Sequence, residues 1–113
     1  MLKIYHNPRC RKSRETLQLI EEAGQMVEVV EYLKTVPTKE ELVDVINKLG
    51  IKPLDLIRKG EKDYKDNFKG QELSDIEWIE AMVAYPKLIE RPIVIKGDKA
   101  VIGRPPENVK ILI

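Results

Sequence analysis

The sequence has a single cysteine, Cys10, and a single histidine, His6, among its 113 residues. One cysteine cannot form an intrachain disulfide, so we do not expect a disulfide-stapled secreted domain. One Cys and one His also fall short of the ligand set of a zinc site. These shortages predict a solitary thiol in the reducing cytoplasm and no bound metal.

Long apolar runs and a large net charge are also missing. No stretch approaches the roughly 20 apolar residues of a membrane helix, and the first residues are too polar for a signal peptide, so we expect no membrane partner. With 20 basic and 19 acidic residues the net charge is +1, which gives no general attraction to nucleic acid. At this length, and at 42% hydrophobic residues, we expect one domain covering residues 1–113.

The spacing of apolar residues predicts alternating strands and helices. Strands are predicted at residues 2–6, 27–30, 92–95 and 100–102. Helices are predicted at 11–23, after a capping box at Thr38 and Glu41, and after a second one at Ser74 and Glu77, with short helical pieces at 53–58 and 105–112. Residues 59–70 are predicted to be an exposed connection, and four residues of the helix after Ser74 are predicted to form a buried stripe: Ile76, Ile79, Met82 and Val83.

This order of elements predicts a mixed four-stranded sheet. A helix joins the first two strands, which should therefore be parallel, whereas the turn at Gly97-Asp98 makes the last two an antiparallel hairpin. The α/β arrangement is thioredoxin-like (glutaredoxin-like), with a helical insertion at about 36–87 between strands 2 and 3. Ligands of such sheets bind beyond the carboxyl ends of parallel strands, where Cys10 falls.

Cys10 stands between a predicted strand and the N-terminus of a predicted helix, among four cations in residues 9–14. Unpaired backbone N–H groups, the helix dipole and these cations favour the thiolate. His6 would assist that ionisation if cationic and orient the loop if neutral, while Ser13 can donate a hydrogen bond to the sulfur. Arg14 is expected to support the loop. The remaining cations, Arg9, Arg11 and Lys12, are expected to act as field charges or as an ordinary solvated helix start.

Several thiol chemistries are excluded by the residues around Cys10. Position 13 is Ser, so there is no Cys-x-x-Cys redox pair, and Thr16 stands where a phosphatase loop has its arginine. A cysteine protease would need a histidine that is distant in sequence, and His6 is only four residues away. The thiolate must therefore use a partner thiol from another molecule.

Three arginines outside the cluster, Arg58, Arg91 and Arg104, lie in short, tight segments. Guanidinium groups match the paired oxygens of tetrahedral oxyanions, so three converging arginines would form an oxyanion cradle. The sequence by itself leaves open whether they converge or are separate surface residues.

Four segments of the chain, in this order, resemble the motifs of the glutaredoxin-coupled ArsC-type arsenate reductases. They are Ile4-Tyr5-His6-Asn7-Pro8-x-Cys10 followed by Ser13-Arg14 and Thr16-Leu17, then Leu56-Ile57-Arg58-Lys59, Glu90-Arg91-Pro92-Ile93-Val94 and Gly103-Arg104-Pro105-Pro106. The resemblance covers nearly the whole chain. The chain stops at Ile113, and after the cysteine it has Arg11-Lys12, whereas the corresponding residues of the characterised reductases are similar to Gly-Thr. It therefore looks closest to the short, arsenate-reductase-related branch.

The resemblance implies a function and a role for each motif residue. Cys10 would be the nucleophile, His6 and Ser13 would favour its thiolate, and the arginines at 58, 91 and 104 would bind arsenate. Pro92 would follow a cis peptide bond that faces the site. No cofactor would be bound; glutathione would be a co-substrate, and glutaredoxin would be the protein partner.

Two other functions are compatible with these residues. A general glutathione-dependent thiol oxidoreductase could use the same fold, with its arginines binding glutathione carboxylates. The Spx-type regulators that bind RNA polymerase look similar in fold, although many of them carry the Cys-x-x-Cys switch that is missing here.

Overall fold

The computed structural model describes all 113 residues and contains one four-stranded sheet, in the order β2-β1-β3-β4. Its strands are β1 (Leu2–His6), β2 (Val27–Glu31), β3 (Ile93–Lys96) and β4 (Lys99–Ile102). β1 is parallel to β2 and antiparallel to β3, and β3 and β4 form the hairpin. The predicted mixed sheet of the thioredoxin-like α/β class is confirmed.

The chain forms two units, of which the first comprises Met1–Thr35 and Arg91–Ile113. This unit holds the sheet, helix α1 (Arg11–Glu22) and a 3₁₀-helix, Pro106–Ile111, where the short C-terminal helix was predicted. Six buried residues form its apolar core: Leu2, Ile4, Ile20, Val94, Val109 and Leu112. That core joins the inner face of α1 to the sheet, and this fixes the start of α1 at the end of β1.

The second unit, Val36–Glu90, is helical. It contains α2 (Lys39–Leu49), α3 (Lys62–Asn67) and α4 (Asp75–Ala84), with 3₁₀-helices at Pro53–Leu56 and Pro86–Leu88. Both predicted capping boxes are formed: Thr38 and Ser74 each exchange side-chain and backbone hydrogen bonds with the glutamate three residues later. The division into one domain, predicted from length, stays a prediction.

Two details of the second unit differ from expectation. The predicted connection at 59–70 contains α3, because Tyr64 stacks on Trp78 and Phe68 packs against the same indole, contacts that local sequence does not reveal. Ile76 is 47% exposed, although it was predicted to be buried. Helix α4 turns its Trp78 and Met82 side inward, and at about 100° per residue Ile76 lies roughly 200° around the helix from Trp78.

None of the helices combines the length and the apolar character that crossing a membrane requires.

Candidate active site

The sulfur of Cys10 lies where β1 gives way to α1. Cys10 is the N-cap residue of α1 and is only 9% exposed. Its backbone N–H donates to the Asn7 carbonyl at 3.0 Å, and its own carbonyl accepts the first helical hydrogen bond, from the Arg14 N–H. The thiol is therefore placed at the positive end of a twelve-residue helix, as the sequence predicts.

The loop before Cys10 is held by two side chains of the first turn of α1. The buried Ser13 hydroxyl accepts a hydrogen bond from the Asn7 N–H at 3.0 Å. Arg14 donates from Nη1 to the Pro8 carbonyl at 3.1 Å, in keeping with the loop-supporting role expected for it. Two hydrogen bonds thus tie the loop to the start of the helix.

His6 ends β1 and is buried, with 7% of its surface exposed. Burial, reinforced by the cation of Arg14, lowers the pKa of His6 below its usual value of 6.5, although the carboxylates of Glu31 and Glu21 oppose the shift. The imidazole is therefore neutral at pH 7. Of the two alternatives left open by the sequence, this geometry favours orientation of the loop over a cation that helps ionise the thiol.

The neutral imidazole acts on the loop through Ser13. Nδ1 of His6 lies 2.6 Å from Oγ of Ser13, which also accepts from Asn7. When Nδ1 carries the ring proton it donates to Oγ, and the Ser13 hydroxyl proton is then available to another acceptor. When Nε2 carries it, Nδ1 accepts the Ser13 proton instead. The histidine tautomer thus decides where the serine hydroxyl points.

Arg104 is the cation that reaches the sulfur. Its Nη2 lies 3.7 Å from Sγ of Cys10, although the two residues are 94 positions apart in the chain. Its Nε donates to the backbone carbonyl of Arg91 at 2.9 Å. Because a carbonyl is a neutral partner, this hydrogen bond orients the guanidinium without cancelling its positive charge.

Arg91 and Pro92 form the segment that orients Arg104. The Arg91–Pro92 peptide bond is cis, as the resemblance implies, and so is the bond between Arg104 and Pro105. The carbonyl of Pro92 accepts a hydrogen bond from the N–H of Gly103 at 2.9 Å. Two backbone-directed hydrogen bonds therefore join this segment to the one that carries Arg104.

Arg58 belongs to the second unit and has different neighbours. Its Nη1 lies 2.8 Å from a carboxylate oxygen of Glu61, and its Nε lies 3.4 Å from one of Glu90. All three side chains are about one quarter exposed, at 26–27%. Within its own unit this arginine is therefore paired with two carboxylates.

The remaining cations near the thiol are exposed. Arg9 and Lys12 face solvent, and Arg11 pairs with Glu15 at 2.7 Å one turn further along α1. No group of three or more His, Cys, Asp or Glu side chains is arranged to hold a metal ion.

Sequence reasoning missed the part that backbone atoms and Gly103 play in the site. The Arg91 carbonyl that orients Arg104 has no signature in the sequence, because every residue has a carbonyl group. A glycine directly after a strand and before Arg104 is visible in the sequence, but the buried Thr16 that it approaches is known only from the fold.

Comparisons with known proteins show which family the chain is similar to. The model of the ArsC family matches residues 5–112. The chain is 51% identical to the uncharacterized protein YfgD of Escherichia coli, over 96% of this chain and 92% of that protein. It is 42% identical to the arsenate reductase of Neisseria meningitidis, over 99% and 97%. The solved structure of an arsenate reductase from Vibrio cholerae superposes with a TM-score of 0.94 at 45% identity, covering 99% of this chain and 97% of that one.

Proposed function

The chain belongs to the ArsC family, and from that premise we propose that it reduces arsenate to arsenite with electrons from glutathione. One observation carries the proposal: a lone, nearly buried thiol at a helix N-terminus has the Arg104 guanidinium 3.7 Å away, oriented by a hydrogen bond to the Arg91 backbone carbonyl. Enzymes place nucleophilic thiols at helix N-termini beside cations. The relatives named arsenate reductase supply the substrate class.

The first step is attack of the Cys10 thiolate on the arsenic atom of arsenate. A sulfur–arsenic bond forms, and one arsenate oxygen leaves as water after taking up protons. Both reactants are anionic, so the step is opposed by their mutual repulsion. The Arg104 guanidinium lowers that repulsion because its positive charge lies beside the sulfur.

In the second step glutathione provides the other thiol. A sulfur–sulfur bond forms between glutathione and Cys10 while the sulfur–arsenic bond breaks, and its electron pair stays on arsenic, which leaves as arsenite. The two thiols are together oxidised by two electrons, and arsenic is reduced by two. A thiol of glutaredoxin then attacks the mixed disulfide, takes over the glutathione and releases Cys10.

The remaining motif residues are assigned within this scheme. Arg104 and Arg91 bind arsenate oxygens, and Arg58 is assigned to substrate binding by the resemblance of its segment alone. His6 and Ser13 hold the Cys10 loop through the contacts at 2.6 and 3.0 Å. The reaction consumes reduced glutathione, so we place it in the cytoplasm, with no bound cofactor.

The test is arsenite formation in a mixture of the protein, arsenate, glutathione and glutaredoxin. Cys10→Ser should abolish turnover, and Arg91→Ala should lower kcat/KM by about tenfold or more because an oxyanion ligand is lost. Lys110→Ala removes one exposed cation from the same unit and is the charge-matched control, expected to behave like the wild type. Equal turnover by the wild type and Cys10→Ser would overturn the proposal.

The exposed Arg9 and Lys12 favour a second candidate, a general glutathione-dependent thiol oxidoreductase. Glutathione carries two carboxylates, and cations beside the thiol suit them. Rapid reduction of a glutathionylated peptide without any arsenate turnover would select this function over the first.

A further inference from the structure

We infer that Gly103 is a positioning residue that lets the Arg104 guanidinium reach the sulfur of Cys10. A methyl group in place of its hydrogen would lie 2.5 Å from Oγ1 of Thr16 and 2.7 Å from Cγ of Pro92. Both distances are far shorter than a van der Waals contact, so any side chain here must move the backbone. The requirement comes from packing, because the backbone of Gly103 is not in the left-handed region.

Neither neighbour of Gly103 is free to give way. Thr16 is fully buried in α1, and its hydroxyl donates to the Lys12 carbonyl at 2.8 Å. Pro92 is buried, and its carbonyl accepts the Gly103 N–H at 2.9 Å. Gly103 is therefore packed between α1 on one side and the Arg91–Pro92 segment on the other. A side chain at position 103 would displace the residues that follow it.

The residue that follows is Arg104. Its carbonyl accepts a hydrogen bond from the Asn108 side chain at 3.1 Å, and its guanidinium spans the Arg91 carbonyl and the thiol. A contact of 3.7 Å to sulfur is near the limit for a hydrogen bond, so an outward shift of less than 1 Å would break it. The close approach of Gly103 to Thr16 thus sets the electrostatic environment of Cys10.

This inference rests on the proposed function only in taking the Cys10 thiolate as the nucleophile that attacks arsenate. Its test measures the position of Arg104 at the sulfur and needs no arsenate. Cys10 is the only cysteine, and the rate of its alkylation by iodoacetamide therefore reports this sulfur alone. In Gly103→Ala we expect the profile of alkylation rate against pH to move to higher pH, with roughly three- to tenfold slower alkylation at pH 7. Failure of arsenate turnover would leave this result unaffected.

A double-mutant cycle shows whether Gly103 acts through Arg104. In an Arg104→Ala background the contact with sulfur is already lost, so adding Gly103→Ala should change the alkylation rate little further. The same slowing in both backgrounds would overturn the inference. So would an alkylation profile for folded Gly103→Ala that superposes on that of the wild type.

Two further variants separate positioning from general loss of stability. Ile20→Val creates a small cavity in the core beneath the same helix and should keep the wild-type alkylation profile although its melting temperature falls. The double variant Gly103→Ala and Thr16→Ala removes the 2.5 Å overlap with Oγ1 of Thr16 and keeps the overlap with Pro92. Its alkylation profile should therefore lie between those of Gly103→Ala and the wild type. If Gly103→Ala alone does not fold, the double variant is compared with Thr16→Ala alone. Identical profiles of alkylation rate against pH for these two proteins would contradict the inference.

Discussion

Arg104 and Arg58 carry the same guanidinium group in opposite surroundings. Arg104 donates to a neutral carbonyl and lies 3.7 Å from the thiol, whereas Arg58 faces the carboxylates of Glu61 and Glu90. The first places its positive charge beside the sulfur, and the second is paired with two carboxylates. The difference teaches that the partners of an arginine, and not its place in a motif, determine what it can bind.

The two arginines also differ in how much each must rearrange to bind an anion. The Arg104 side chain is already oriented by the Arg91 backbone, so binding an oxyanion there requires little rearrangement. At Arg58 an incoming oxyanion must replace a carboxylate at 2.8 or 3.4 Å. We therefore expect most of the electrostatic support of the thiolate to come from Arg104.

The largest expected effect tests this unequal division directly. Arg104→Ala should slow alkylation of Cys10 at pH 7 by about tenfold, equivalent to roughly 1.4 kcal/mol, because the cation beside the thiolate is lost. Arg58→Ala, the matched control, should leave the alkylation rate within about twofold of the wild type. Equal slowing by the two substitutions would show that the comparison is wrong.

A smaller effect is expected when one of the carboxylates that hold Arg58 is neutralised. In Glu61→Gln the arginine loses its ion pair at 2.8 Å, so the KM for arsenate should fall by about two- to fivefold while kcat changes little. Steady-state kinetics of the coupled glutathione assay measure both constants. Glu72→Gln makes the same charge change at an exposed position of the same unit and is the control. An increase in KM would mean that Glu61 helps to place Arg58 for the substrate.

The smallest expected effect concerns His6, which ends β1 just before the loop. Burial lowers its pKa, so between the folded value and the usual 6.5 the unfolded chain binds a proton that the folded protein does not. Stability should therefore fall as the pH drops below 6.5. The Arg14 cation increases this loss, and the carboxylates of Glu31 and Glu21 reduce it. Urea unfolding of wild type and His6→Gln at pH 7 and pH 5 should show the larger loss in the wild type.

The same variant sharpens the contrast with Arg104. Since the imidazole is neutral at pH 7, His6→Gln should alter the alkylation rate of Cys10 much less than Arg104→Ala does. A comparable slowing would instead assign His6 a direct electrostatic role at the sulfur.

The sequence predicted the fold well where the determinants are local. The capping residues Thr38 and Ser74 mark helix starts because their hydrogen bonds involve only the next three residues. Where a distant partner decides the structure, the predictions were weaker. Helix α3 depends on Trp78, and the exposure of Ile76 depends on which side of α4 is packed.

The site followed the same rule. Cys10 at a helix N-terminus and the loop-supporting Arg14 were predictable, because the residues that position them lie within about six positions in the chain. The sequence could name Arg104 and Arg58 as motif residues but could not assign their partners. The 3.7 Å contact with sulfur, the two carboxylates around Arg58 and the fit of Gly103 against Thr16 all join residues that only folding brings together.

The reactive loop leaves the sheet from β1, which has a hydrogen-bonded strand on each side. Strands at the margins, β2 and β4, open first when a sheet breathes, whereas an interior strand exchanges its amide hydrogens only in rarer, larger openings. Openings of the outer strands therefore do not disturb β1, the strand that leads to Cys10. Substitutions along β2 can accumulate without changing the reactivity of Cys10, whereas the β4 margin leads directly into Gly103 and Arg104.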